Sequence, residues 1–157
     1  MKSLEQKVAE LLRKQNKAIS VAESCTGGLV SDRLTNIPGI STYFKAAIVA
    51  YRRTIKIKLL KIPSRIIAKN GTVSKPVAIM MARNIRRICE TDIGLGVTGI
   101  AGPSGGTKEK PVGLVYIALA TKNYEVARKL NFKGSRLAVK KQASSAVLKL
   151  LYDFLAK

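Results

Sequence analysis

Three neighbouring side chains with nucleophilic atoms, Ser24, Cys25 and Thr26, fall within the run Glu23-Ser24-Cys25-Thr26-Gly27-Gly28. The run follows a short apolar stretch and opens a helical pattern. In open α/β sheets, ligands bind at such points, outside the carboxyl ends of the strands. A helix start also presents unpaired N–H groups and the positive end of the helix dipole, which suit an anion or an oxyanion. Gly27 and Gly28 let backbone approach a ligand closely. A plainer reading stands beside this one: Ser24 or Thr26 caps the helix and Cys25 packs in the core. Local features alone favour the plainer reading, because hydroxyl caps are common.

A hydroxyl nucleophile needs a base, and the sequence contains no histidine. That excludes a Ser-His-Asp triad, a Cys-His dyad, a His-bound zinc and a haem with a proximal His. Cys25 and Cys89 cannot make a four-thiolate site, and nine acidic residues argue against a carboxylate cage for Mg²⁺ or Ca²⁺. Neither a metal nor a cofactor is expected. Hydroxyls, amines, backbone amides and a thiol remain. The natural base is then a lysine with a lowered pKa. Tyr51, Arg52, Arg53 and Lys56 lie at the end of a second apolar stretch. Nearby cations and partial burial both lower a lysine pKa, and a Tyr hydroxyl can relay a proton. Spacing alone does not separate Lys56 from Lys58 or Lys61, and an exposed charge among many is the bland alternative.

A third segment, Thr98-Gly99-Ile100-Ala101-Gly102-Pro103-Ser104-Gly105-Gly106-Thr107, follows a third apolar stretch. Its glycines can form a nest of N–H groups for phosphate or carboxylate. Gly94, Gly96 and Gly99 spell GxGxxG, but two of them fall inside the strand pattern and a Gly/Pro loop follows, so the dinucleotide fingerprint is rejected. Gly106-Thr107-Lys108 is not a Walker A ending. The alternative for this loop is a mobile surface connection, yet loops this long in compact domains are more often functional.

The elements that must position these residues are legible in outline. Leu4, Val8, Leu11 and Leu12 mark a helix over Ser3–Asn16, with Ser3 and Gln6 as a candidate capping box. Strands are expected at 18–22, 44–51 and 92–98, and a hairpin at 113–120 and 124–132 with its turn at Lys122-Asn123. Helices are expected at 26–36, 54–60, 74–89 (Pro76 in the first turn) and 135–155, with a turn at Asn70-Gly71. The alternation implies a three-layer α/β/α sandwich around a mostly parallel, mixed sheet with one antiparallel strand.

The 157 residues carry 29 Lys plus Arg against 9 Asp plus Glu, a net charge of +20. Such a field attracts anions, including nucleotides and nucleic acid. The basic residues are spread along the chain, and aromatics make up only 5%, so a solvated surface is the favoured reading and nucleic-acid binding is expected to be weak and non-specific. No linker or repeat divides the sequence, which reads as one domain over residues 1–157. The start, MKSLEQKVAELLRKQ, is amphipathic without an apolar signal core, and no run approaches the ~20 apolar residues of a membrane span. A cytoplasmic protein without membrane contact is expected, its two cysteines suiting a reducing compartment.

Taken together, the segments resemble the CinA C-terminal domain family, which includes the stand-alone nicotinamide-nucleotide amidases. The resemblance is carried by Ala22-Glu23-Ser24-Cys25-Thr26-Gly27-Gly28, by Ala50-Tyr51 with Lys56 and Leu59-Leu60, by Gly71-Thr72-Val73-Ser74, and by Thr98 to Gly106 continuing into Lys110-Pro111-Val112-Gly113. It covers nearly the whole chain, without the N-terminal domain of full-length CinA. It implies hydrolysis of the carboxamide of nicotinamide mononucleotide to nicotinate mononucleotide and ammonia. It implies Ser24 as nucleophile, with Lys56 and Tyr51 as activating partners and Tyr51 relaying the proton. Amides near Thr26, Gly27 and Gly28 would hold the oxyanion. Arg52, Thr98, Gly99, Ala101, Gly102, Gly105, Gly106 and Arg136 would contact the nucleotide substrate. A homo-oligomer is expected as well.

The chain departs from the family pattern in places. Tyr51-Arg52-Arg53 stands where relatives usually read Tyr-Ser-Asn. Lys61 replaces a glycine, and Gly134-Ser135-Arg136 replaces Gly-Asp-Arg. With the +20 charge, Arg52-Arg53 motivates an alternative: a CinA-like protein that binds nucleotides or nucleic acid with impaired turnover.

Overall fold

A computed structural model describes all 157 residues. The elements run α1 (Leu4–Gln15), β1 (Ile19–Glu23), α2 (Leu29–Thr35), β2 (Phe44–Val49), α3 (Arg53–Lys58), α4 (Ser64–Asn70), α5 (Lys75–Ile88), β3 (Ile93–Gly99), β4 (Leu114–Ala120), β5 (Glu125–Asn131) and α6 (Arg136–Leu155). The five strands form one sheet in the order β2-β1-β3-β4-β5. β2, β1 and β3 are mutually parallel, and β4 runs antiparallel to both β3 and β5. Four strands therefore share one direction and β4 alone opposes them, which is the mixed sheet the sequence implies. No helix is long and apolar enough to cross a membrane.

Helices cover both faces. On one face, Val8 and Leu12 of α1, Val30 and Leu34 of α2 and the Val139–Leu155 stripe of α6 pack against Val21, Leu95 and Ile117. On the other, Leu60, Ile62, Ile67, Val77, Met81 and Ile85 enclose Ala22 and Ala50. Strand alternation makes this possible: odd residues of β3 enter the first core and even ones face α5. The even positions include Gly94 and Gly96. A Cβ on Gly94 would stand 2.0 Å from the Ala82 carbonyl oxygen, and one on Gly96 2.5 Å from that of Ala78. The glycines that spell a nucleotide fingerprint thus let α5 lie directly on the sheet.

Local chemistry explains the helix starts. Ser3 and Gln6 form the expected capping box, and Ser74 and Ser135 cap α5 and α6. One expectation needs correction and one element is new. α2 begins at Leu29 rather than Thr26, because 25–28 form a turn. α4 was not legible: only its terminating turn at Asn70-Gly71 stood out, since seven residues carry too little periodicity. Lys61 has φ 55°, a left-handed conformation that costs a side-chain-bearing residue about 1 kcal/mol.

Candidate active site

The carboxyl ends of β1, β2 and β3 converge on one edge of the sheet. There the three singled-out segments meet. Ser24 follows β1, Ala50 and Tyr51 follow β2, and the Gly/Pro loop follows β3. The Ala50 amide donates to the Glu23 carbonyl at 2.8 Å, so the first two ends are locked together.

Lys56 lies on α3, and its side chain is 1% exposed. Its Nζ is 2.8 Å from Ser24 Oγ, 2.6 Å from the Ala50 carbonyl and 3.1 Å from the Tyr51 carbonyl. The ammonium thus has a hydrogen-bond acceptor for each of its three protons. When neutral, the amine keeps two donors for the carbonyls and offers its lone pair to the Ser24 hydroxyl. Burial lowers the Lys56 pKa to about 8. The group is therefore neutral in a useful fraction near neutrality and complete in its hydrogen bonding in both states.

The two other nucleophile candidates are engaged elsewhere. Cys25 is 5% exposed, and burial pushes its thiol up to about 11, which keeps it protonated. Thr26 donates its hydroxyl to Glu23 Oε2 at 2.5 Å. Of the three, only Ser24 is paired with a base.

Glu23, which the sequence motif contains but its chemistry alone does not assign, organises the turn. Its fully buried carboxylate accepts from Thr26 Oγ1, the amides of Gly28, Val30 and Ser31, and Ser31 Oγ. The expected oxyanion donors need correction accordingly. The Gly28 amide is bound to Glu23, and that of Gly27 donates to the Ser24 carbonyl at 3.0 Å. Free amides remain at Cys25 and Thr26, immediately after the nucleophile. A carboxylate at the end of a strand, followed by a hydroxyl three residues on, was the available signal for this role.

Tyr51 is placed differently from a proton relay. Its side chain is 54% exposed, and its hydroxyl accepts from Arg136 Nη2 at 2.6 Å. Lys56 reaches Ser24 directly, and Tyr51 contributes its carbonyl instead. Arg136 also donates through Nη1 to the Gly102 carbonyl at 2.7 Å, tying the β2–α3 corner to the loop. Thr98 is buried, its hydroxyl donating to the Thr72 carbonyl at 2.9 Å, so it fastens the α4–α5 connection to β3. Ala101 and Gly102 are buried at the loop base, with Gly99 half-buried, whereas Gly105, Gly106 and Arg52 are exposed.

Comparison with known proteins identifies the family and the fold. The family model for the CinA C-terminal domain matches residues 1–155. A CinA-like protein of Dictyoglomus thermophilum is 52% identical over 134 residues, covering 85% of this chain and 33% of its own length. A CinA-like protein of Syntrophus aciditrophicus is 46% identical over 155 residues, covering 98% of the chain and 37% of its own length. The chain thus spans about a third of the length of these relatives. The crystal structure of a CinA-superfamily protein from Klebsiella pneumoniae superposes with a TM-score of 0.94 at 27% identity, covering 98% of this chain and 96% of the other.

Proposed function

The chain belongs to the CinA C-terminal domain family, and from that premise we propose that it is a Ser-Lys amidohydrolase acting on the carboxamide of nicotinamide mononucleotide. The observation that carries the reading is Lys56 Nζ at 2.8 Å from Ser24 Oγ, in a buried setting that lowers the lysine pKa. In the first half-reaction, neutral Lys56 takes the Ser24 proton as Oγ attacks the carboxamide carbon. The amides of Cys25 and Thr26 hold the oxygen that becomes negative. The Lys56 ammonium returns the proton to the departing nitrogen, ammonia leaves, and an ester to Ser24 remains. In the second, Lys56 deprotonates water, which attacks the ester and releases nicotinate mononucleotide and regenerated Ser24. Neither half needs imidazole. Cytoplasmic residence fits the unpaired Cys25 and Cys89, and assembly into a homo-oligomer belongs to the same proposal.

A second reading, a nucleotide- or nucleic-acid-binding protein with impaired turnover, rests on the exposed Arg52 and Arg53 and the +20 charge. Ammonia release from nicotinamide mononucleotide separates the two. The amidase reading expects turnover by the purified protein and a loss of about 10³-fold or more in Ser24→Ala, with the variant still folded. Absence of ammonia release, or a fully active Ser24→Ala, contradicts it.

A further inference from the structure

A cavity of about 350 Å³ lies between the catalytic turn and the start of α6, lined by Thr26, Gly27 and Asp32 on one side and Leu137, Lys140 and Lys141 on the other. It shares Thr26 with the turn that carries Ser24. Lys140 is half-buried, and its Nζ sits 3.6 Å from where a Cβ on Gly27 would stand. It is near enough to act electrostatically on Cys25, the residue after the nucleophile. Yet Lys140 has no ion-pair partner, although Asp32 lines the same cavity. The other cations at this edge are committed or turned outward. Lys56 binds Ser24 and two carbonyls, Arg136 binds Gly102 and Tyr51, and Arg52 is exposed. Backbone offers no spare donor here: Glu23 accepts from the amides of Gly28, Val30 and Ser31, the Gly27 amide donates to the Ser24 carbonyl, and the Thr26 amide is assigned to the oxyanion. An anion held in this cavity must be held by lysine side chains.

We propose that this cavity is the sugar-phosphate subsite for the nucleotide, with Lys140 as its phosphate-binding cation and Asp32 as acceptor for the ribose hydroxyls. The inference rests on the amidase reading and deepens it by assigning the end of the substrate remote from the carboxamide. The separation of charges fits such a ligand. A dianionic phosphate is drawn to Lys140 and Lys141 and repelled by Asp32, while a diol finds in Asp32 a carboxylate without an ion-pair partner. One orientation follows, with the phosphate at Lys140 and Lys141 and the pyridinium ring and its carboxamide toward Ser24.

The test pairs a kinetic with a binding measurement. kcat/KM is determined for nicotinamide mononucleotide and for nicotinamide riboside, its dephosphorylated counterpart, in wild type, Lys140→Ala and Lys140→Arg. Binding of ribose 5-phosphate to the same proteins is measured by calorimetry. Lys140→Ala is expected to lower kcat/KM for the mononucleotide about 10–100-fold, leave the riboside within about twofold, and weaken ribose 5-phosphate binding to a similar degree. Lys140→Arg, which keeps the charge, should recover most of the loss. An equal fall for both substrates, or ribose 5-phosphate binding unchanged in Lys140→Ala, overturns the subsite. Failure of the amidase reading looks different: wild type releases ammonia from neither substrate. In that event Lys140-dependent binding of ribose 5-phosphate still supports the subsite, and binding independent of Lys140 overturns it.

Discussion

The turn after β1 and the loop after β3 end at the same edge of the sheet, and both are rich in glycine and hydroxyl residues. They are built in opposite ways. The turn 24–28 is largely buried and over-determined: the Glu23 carboxylate takes two hydrogen bonds from it and three from the start of α2, and Lys56 contacts Ser24. The loop from Gly99 to Val112 is exposed over 103–109 and held by a few ties: Lys110 to the carbonyls of Asn70 and Val73, Arg136 to Gly102, and Thr107 to Lys110. A nucleophile must be held within a fraction of an ångström, which requires a fully supported turn. A recognition loop needs only to be tethered and can yield to its ligand. The difference in support therefore divides chemistry from recognition.

Removing the carboxylate that organises the turn should have the largest effect. Glu23→Ala leaves buried donors at 26, 28, 30 and 31 without an acceptor, and a cost of about 3 kcal/mol or more is expected in urea unfolding. A cost below about 1 kcal/mol would mean that water or neighbours support the turn instead. Next comes the pH dependence of stability. The Lys56 pKa is lowered in the fold to about 8, against about 10.5 unperturbed. Between these values the unfolded chain binds a proton that the folded one does not, so this contribution makes stability rise with pH. Below about 8 both states are protonated and the full burial cost is present. Wild type should gain roughly 2–3 kcal/mol relative to Lys56→Met from pH 8 to 10.5, and parallel curves would show that burial does not perturb this amine. The smallest effect belongs to the loop. Lys110→Ala should cost about 1–2 kcal/mol and raise KM more than it lowers kcat. A selective collapse of kcat would move the loop into the chemistry and erase the contrast drawn above.

Much of this was legible in the sequence because strand, turn and helix signals are local. The strands appear within a residue or two of their expected bounds, and the capping Ser residues mark α1, α5 and α6. The convergence of Ser24 with Lys56 came from residue chemistry plus family resemblance, since spacing could not separate Lys56 from Lys58 or Lys61. What escaped was tertiary. That Glu23 takes the helix-start amides, that Tyr51 turns outward to Arg136, and that Thr98 is buried against Thr72 all depend on where other segments arrive. The GxGxxG run illustrates the same limit: its first two glycines answer to the packing of α5, which no local pattern encodes.

The central claim is that a buried, neutral Lys56 activates Ser24. The direct measurement is kcat/KM for ammonia release from nicotinamide mononucleotide as a function of pH, in wild type and in Lys56→Arg. The account predicts a single rising limb centred near pH 8, where the amine loses its proton, and a plateau above it. Lys56→Arg should be nearly inactive across the range, because a guanidinium stays protonated and cannot accept the Ser24 proton. A Lys56→Arg protein that turns over like wild type with the same pH profile would contradict it.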